Sequence, residues 1–561
     1  MPIRDSRGIE LTGPRENLRS STRLSLAISI VERFFGLIAA LYFITWLLSV
    51  MSAHIFAGNS DGATVVLEGQ SISSGNFWLH GWGLSNDSFW SIDAMFYALF
   101  VHIEGVTKAA LHVVPALIAG FVILLGLWMV RDEDHSWRCV FAGGFLVLIL
   151  ALPNPDLSFF LLQGPWHIGT ALLCLIAFAG LSSDRWGVGS VVAVLALAAA
   201  FLGDLATVAF GMAPVIFAGL SEMARMRSLR RGLPSVAAGL ASIGLAEVGR
   251  LVLRHFGAFT LSNGITRATS NRYLTNVGHS MTWMTGLFGV KRLAIGPVSV
   301  LSGDAVNNGS AFSRIVHLPL LLVVTGGVAF ALLTFVRGLI FGDRLGSRSS
   351  RSLRIDALLL SGIAGSVATY VYLCPNNNAN YARYLIAAVI FGAILSARTV
   401  ARALQPMRRA KSILPLALAS ILLVAAVAFA TTGNLSSSAA TQPTESLILF
   451  LEAHHLSIGV GDYWSSSVVT VSSGERVVIR PVITNRKRIV VRYGRQSDAS
   501  WYGGTRFQFL VYNVKHPWRR INATTAITTF GRPKAAYGVG SFRIIVWPHP
   551  LSIGPVGFTL G

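Results

Sequence analysis

The sequence predicts a polytopic α-helical membrane protein of about 11 transmembrane helices, with interfacial helices in its first external loop and a small β-rich external domain at its C-terminus. Three observations predict it. Of 561 residues, 53% are hydrophobic and only 13% charged, whereas a soluble globular protein carries roughly 25% charged residues; the mean hydropathy is +0.59. The basic residues gather in alternate loops between membrane-length apolar runs. From about residue 432 the pattern changes to short alternating segments.

Residues 1–26 are polar and basic and are expected to stay in the cytoplasm. The span that follows is long and lacks a small-residue cleavage site, so it reads as a retained helix. A span needs about 20 apolar residues. Candidates lie near 27–52, 107–130, 139–153, 166–182, 187–202, 205–221, 234–253, 315–338, 355–374, 383–397 and 412–431. With the N-terminus inside, Arg4, Arg7, Arg15, Arg19 and Arg23 share the cytoplasmic side with "RDEDHSWR", "SSDRWG", "ARMRSLRR", "FVRGLIFGDRLGSRSSRSLR" and "SARTVARALQPMRRAK". This satisfies the positive-inside bias. The formal net charge of +21 is therefore read as topological and not as a nucleic-acid footprint. Little charge falls deep within the spans, Glu247 in "GLAEVGR" being the main case. An odd span count makes 27–431 the transmembrane domain and sends 432–561 outside, along with the long segments 53–106 and 254–314.

Within 432–561, "TTGNLSSSAATQPTES" reads as a linker. The stretches "SSVVTVSSGERVVIRPV", "KRIVVRYG", "RFQFLVYNV" and "FRIIVWPHP" read as strands. Cys139, Cys174 and Cys374 are far apart and show neither metal spacing nor a disulfide framework.

The first external segment holds "SFWSIDAMFYALFVHIEG", too short and interrupted to span, and read as an amphipathic helix in the membrane interface. Asp87 lies just before it and is expected to cap it. Asp93 lies inside the aromatic run, where a carboxylate is costly unless solvated or paired. Asp61, in "GNSDGAT", is read as part of a plain turn. The same topology brings further polar groups to the external level: Asp156, Gln163 and His167 in "LPNPDLSFFLLQGPWHIGTALL", Asp204 in "FLGDLATVAFG", and Asn378, Tyr381 and Arg383 in "CPNNNANYARYLIAAV". Acids at one end of a bundle, with an arginine opposite, suit an anionic lipid-linked substrate.

The organisation resembles the C-type (GT-C fold) membrane glycosyltransferases, which include protein O-mannosyltransferases, aminoarabinose transferases and oligosaccharyltransferases. The resemblance rests on "GNFWLHGWGLSNDSFWSIDAMFYALFVHIEG", "HVVPALIAGFVILL", "GDLATVAFGMAPV", "ARYLIAAVIFGAIL" and "AHHLSIGVGDYWSSSVVTVSSGERV", similar to a poorly characterised group of bacterial membrane proteins of this type. It covers most of the membrane region and part of the tail. It implies a bacterial inner membrane, a periplasmic or extracellular C-terminal domain, a polyprenyl-phosphate sugar donor, and a cell-envelope glycan or lipid as acceptor. In that superfamily an external-loop carboxylate acts as general base or orients the acceptor. The matching positions are Asp93 first and Asp87 second. Asp93 departs from the pattern by lying some forty residues beyond the first helix.

Departure of an anionic phosphate is helped by cations. Arg383 is the first candidate, followed by Arg272 in "TSNRYL" and Lys291 with Arg292 in "GVKRLAIG". His167 could orient a carboxylate or bind a divalent metal with Asp156; the sequence requires no metal and leaves the choice open. Two competing classes stand beside the transferase: a non-catalytic scaffold that binds envelope glycan, and a transporter or flippase for lipid-linked sugars. No pair of broken helices in matching halves points to the second.

Overall fold

The computed structural model describes residues 15–56, 58–131, 137–182, 187–262, 267–290, 311–341, 350–404, 443–515 and 517–554. Among them, seven helices are long and apolar enough to cross a membrane, and three shorter apolar helices run with them. The chain is a multi-pass membrane protein. Helix α1 (Arg15–Ile55) starts well before the span at 27. Phe34, Phe35, Tyr42, Phe43 and Trp46 stand exposed along it, as lipid-facing side chains do.

Two helices occupy the first long loop: α2 (Ser60–Ser73) and α3 (Asp93–Glu104). The stretch "GNSDGAT" is thus no plain turn, because the Asn59 side chain accepts the Gly62 N–H at 2.8 Å and starts α2. The loop also holds strand β1 (Trp82–Leu84). The bundle continues with α4 (Ala110–Val130), α5 (Trp137–Leu150), the short α6 (Pro155–Leu162), α7 (Ile168–Gly180), α8 (Val188–Gly203), α9 (Ala213–Met226) and α10 (Leu229–His255). After strand β2 (Thr260–Leu261) come α11 (Tyr273–Leu287), α12 (Ala311–Phe341), α13 (Ser350–Leu373) and α14 (Ile386–Ala403). Ten of the expected spans therefore meet a helix, and the eleventh, 412–431, lies outside the described residues.

At the end of the bundle away from α2 and α3, charge is buried in pairs. Arg354 grips Glu222 through two bonds of 2.7 Å, and Asp356 takes Arg398 at 2.9 Å and Arg402 at 2.5 Å. Glu247 is not the main charge in the bundle; it is half-exposed and paired with Arg250. The buried pairs escaped the sequence because their partners are distant in the chain, and hydropathy sees one segment at a time.

The C-terminal part begins with α15 (Pro443–Ala453), then β3 (Ile458–Gly461), α16 (Ser467–Ser472), β4 (Val478–Thr484), β5 (Val490–Arg492), β6 (Ser497–Asp498), β7 (Phe507–Asn513), α17 (Ala523–Phe530), β8 (Ala535–Val539) and β9 (Phe542–Leu551). Its six-stranded sheet has the order β5-β4-β3-β7-β9-β8. Strand β3 runs parallel to both β4 and β7. That explains the one misread strand. "SSVVTVSS" forms helix α16 because parallel neighbours need a crossover, and Thr470 ties it to β4 by bonding both the N–H and the carbonyl of Ile479.

This domain is locked to the first long loop. Lys108 pairs with Glu445 at 2.6 Å, Tyr463 donates to Asp61 at 2.5 Å, and Thr64 donates to Ser467 at 3.1 Å. A second, three-stranded sheet of order β2-β1-β6 joins loops from three distant parts of the chain.

Candidate functional site

Residues 85–93 are held by backbone contacts that their own side chains arrange. The Ser85 hydroxyl bonds the Asp87 carbonyl at 2.5 Å. Phe89 adopts φ of 52°, which aims its N–H at the Gly203 carbonyl, 2.8 Å away. Ser91 donates to the Ala199 carbonyl at 2.6 Å, and the Trp90 indole donates to Phe77 at 2.9 Å. The loop is thereby stapled to the last turn of α8.

The two acids of this loop part company. Asp93 is the first residue of α3 and is 1% exposed. Its carboxylate presses on α7, where a Cβ at Gly169 would fall 2.6 Å from Oδ2. That oxygen has no partner among the described residues. Burial, and then the negative charge of Asp204, push its pKa up to about 7. So Asp93 does not face water. Asp87 is no helix cap either: position Ile92 precedes the helix and makes no side-chain cap bond. Asp87 is half-buried and lines an open cavity of about 590 Å³. Its pKa is raised by burial first and by Asp204 second, against the pull of His167, Arg383 and Arg495.

Behind this cavity sits a buried polar cluster. His167 enters α7 with φ of 66°, and its Nδ1 bonds Asp204 Oδ2 at 2.7 Å. The Thr170 hydroxyl donates to the same oxygen, and the Ala206 N–H donates to Oδ1 at 2.8 Å. Burial alone would raise the Asp204 pKa, but the His167 charge and these bonds bring it below the usual carboxylate range. The chain then passes into a π-turn, Val208–Met212, before α9. Such turns inside helices recur at functional sites.

The opposite wall comes from the 3₁₀ turn Ala379–Leu385, which Asn378 caps by accepting the Asn380 N–H at 2.9 Å. This turn carries Tyr381, Arg383 and Tyr384 onto the cavity. The Tyr384 ring lies 4.9 Å from the His167 ring, centroid to centroid. The Arg383 guanidinium sits over Trp166 at 5.6 Å and Tyr384 at 5.1 Å, and its Nη2 donates to the Tyr384 hydroxyl at 3.3 Å. Its Nε is buried with no partner among the described residues. A fixed cation with an unused donor thus faces the same cavity as Asp87.

The sequence candidates therefore fall into three groups. Asp87, Tyr381 and Arg383 line the cavity, and His167 and Asp204 stand directly behind it. Asp93, Asp156, Arg272 and Asn378 do not line it; Arg272 donates to the Pro375 carbonyl. Gln163 accepts from Asn59 at 3.2 Å and ties α6 to α2. Lys291 and Arg292 lie outside the described residues. The imagined pairing of His167 with Asp156 is replaced by His167 with Asp204. Among the described residues no group of three or more His, Cys, Asp or Glu side chains could hold a metal ion. Sequence reasoning missed Arg267 and Arg495, which also line the cavity. Nothing local marks either one: Arg495 arrives through the pairing of β6 with β1, and Arg267 beside the Ala268 N–H bond to the Tyr372 carbonyl at 2.8 Å.

No protein-family model matches the chain, and no curated protein matches it in sequence. In structure it is similar to the oligosaccharyltransferase of Archaeoglobus fulgidus in complex with zinc and sulfate, at 12% identity and a TM-score of 0.45 over 85% of this chain and 68% of that one. It is also similar to ArnT from Cupriavidus metallidurans bound to undecaprenyl phosphate, at 12% identity and a TM-score of 0.49 over 92% of this chain and 98% of that one. The apo form of the same ArnT matches at 14% identity and a TM-score of 0.42.

Proposed function

We propose that the protein is a membrane glycosyltransferase that moves a sugar from a polyprenyl-phosphate donor to a hydroxyl of a cell-envelope acceptor, on the outer side of a bacterial inner membrane. One observation carries the reading: a half-buried carboxylate, Asp87, and a fixed guanidinium, Arg383, face one cavity at the end of an apolar bundle. A lipid phosphate lies at that level when its polyprenyl chain lies among the spans. Arg383 donates to the phosphate oxygens, and the Tyr384 hydroxyl, held beside it, adds a second donor. Both act most strongly as charge gathers on the departing phosphate.

The acceptor hydroxyl attacks the anomeric carbon while Asp87 removes its proton. The bond from that carbon to the phosphate oxygen breaks, and the oxygen keeps the electron pair. A single displacement inverts the anomeric centre. Burial and Asp204 raise the Asp87 pKa, which makes its carboxylate a stronger base for that proton. Asp204 supplies part of that rise, and with His167 it backs the Tyr384 ring.

A lipid-linked sugar transfer assay, with mass spectrometry for a copurified polyprenyl phosphate, tests the reading. Arg383→Ala should raise the KM for the donor or abolish turnover in a folded protein. Loss of a hydrogen bond to a charged group costs about 1.5–3 kcal/mol. Transfer that is absent in the native protein, with no bound polyprenyl phosphate, would leave the glycan-binding scaffold as the surviving reading.

A further inference from the structure

Three guanidinium groups, those of Arg267, Arg383 and Arg495, line the cavity together with the carboxylate of Asp87. A polyprenyl-phosphate sugar is a phosphodiester and brings a single negative charge, which Arg383 can meet. Arg495 also shares a feature with Arg383: its Nε is buried and unpartnered among the described residues.

The placement of Arg495 is built, not incidental. Strand β1 leads directly into Asn86 and Asp87 and pairs with β6, which follows Arg495, so one sheet fixes both of these approaches to the cavity. The Gln496 N–H donates to the Gly83 carbonyl at 2.5 Å, and Ala499 donates to Gly81 at 3.0 Å. At Gly83 a Cβ would lie 2.2 Å from the Gly494 carbonyl oxygen, so only glycine lets the two backbones approach this closely. Backbone bonds hold the segment and leave the Arg495 guanidinium free for a ligand.

We propose that Arg495, with Arg267, binds a second anionic oxygen group, a phosphate or a carboxylate, beside the phosphate held by Arg383. The C-terminal domain thereby supplies a specificity-determining residue to a site otherwise made by the membrane domain. The inference rests on the reading of Arg383 as donor-phosphate ligand. The second anion comes either from a diphosphate in the donor or from an acidic group on the acceptor.

The test uses the full-length protein in nanodiscs with inorganic pyrophosphate as first probe, followed by calorimetry. The native protein should bind it. Arg495→Gln should weaken binding about 10- to 100-fold, and Arg495→Lys, a point charge without the fork, should recover part of the loss with native melting. Equal binding by native protein and Arg495→Gln, or none by the native protein, overturns the proposal. Polyprenyl monophosphate and diphosphate then separate the sources. If Arg495→Gln weakens the diphosphate alone, the second anion belongs to the donor. If it weakens neither lipid, yet weakens pyrophosphate bound beside saturating polyprenyl monophosphate, the anion belongs to the acceptor. If Arg383→Ala leaves the monophosphate binding unchanged, the donor reading fails, while the pyrophosphate difference at Arg495 still stands.

Discussion

Asp87 and Asp93 share one short stretch, and their surroundings give them different work. Asp87 borders the cavity, so in the proposed reaction it is the acid within reach of the acceptor hydroxyl. Asp87→Asn should lower kcat by about two to four orders of magnitude while the donor Kd stays near native; full activity in the variant would remove Asp87 from the mechanism. Because Asp204 helps to raise the Asp87 pKa, Asp204→Asn should move the acid limb of the kcat/KM profile to lower pH. Asp93 is sealed off, and its test is stability. Its pKa rises on folding from an ordinary 3.8 to about 7. The folded state therefore holds the proton more tightly than the unfolded chain. That contribution is fully present below pH 3.8 and is lost as pH climbs to 7, a change on the order of 4 kcal/mol. Asp93→Asn has no proton to lose. Melting curves of native protein and variant should diverge in the variant's favour between about pH 4 and 7 and run parallel above; curves that stay parallel throughout would show the carboxyl to be solvated.

Helix α2 is an element that the sequence hid in plain view. Its start depends on Asn59, which caps Gly62 and also donates to the Gln163 carbonyl at 3.0 Å. Asn59→Ala should cost about 1–2 kcal/mol for the cap and the orphaned partner, read as a lower midpoint in thermal unfolding; Asn59→Asp, which keeps the cap but turns a buried carboxylate oxygen toward the two Gln163 oxygens, should cost at least as much. The transmembrane helices were legible because a long apolar run has one physical outcome in a bilayer. Short elements were not. "GNSDGAT" offers good caps and good turn residues alike, and only packing of α2 against α3 and α16 decides between them. "SSVVTVSS" favours a strand by its valines, yet the parallel neighbours of β3 demand a crossover there. The site was half legible for a related reason. Arg383, Asp87, His167 and Asp204 lie beside helix ends, where loop polarity flags them. Arg495 is set by the pairing of β6 with β1, and Arg267 by a backbone bond next to it to Tyr372, contacts between distant segments that no local pattern encodes.

At the scale of the molecule, the cavity, α2, α3 and the C-terminal domain all occupy one end of the bundle, and the buried pairs of Arg354, Asp356 and Arg398 occupy the other. The basic loops lie at that other end, and the positive-inside bias predicts that it faces the cytoplasm. A phosphatase reporter fused after residue 440 should therefore be active outside the cell membrane, and activity only inside would invert the assignment of every site residue. The sheet β2-β1-β6 carries a further consequence, one of time rather than space. Strand β1 leaves the ribosome roughly four hundred residues before β6. Until β6 arrives, one edge of β1 has no partner and the cavity lacks its Arg495 wall. A nascent chain thus lacks this wall until residue 495 has been made, and a molecule stalled or clipped before it carries a membrane domain that is inserted but unfinished.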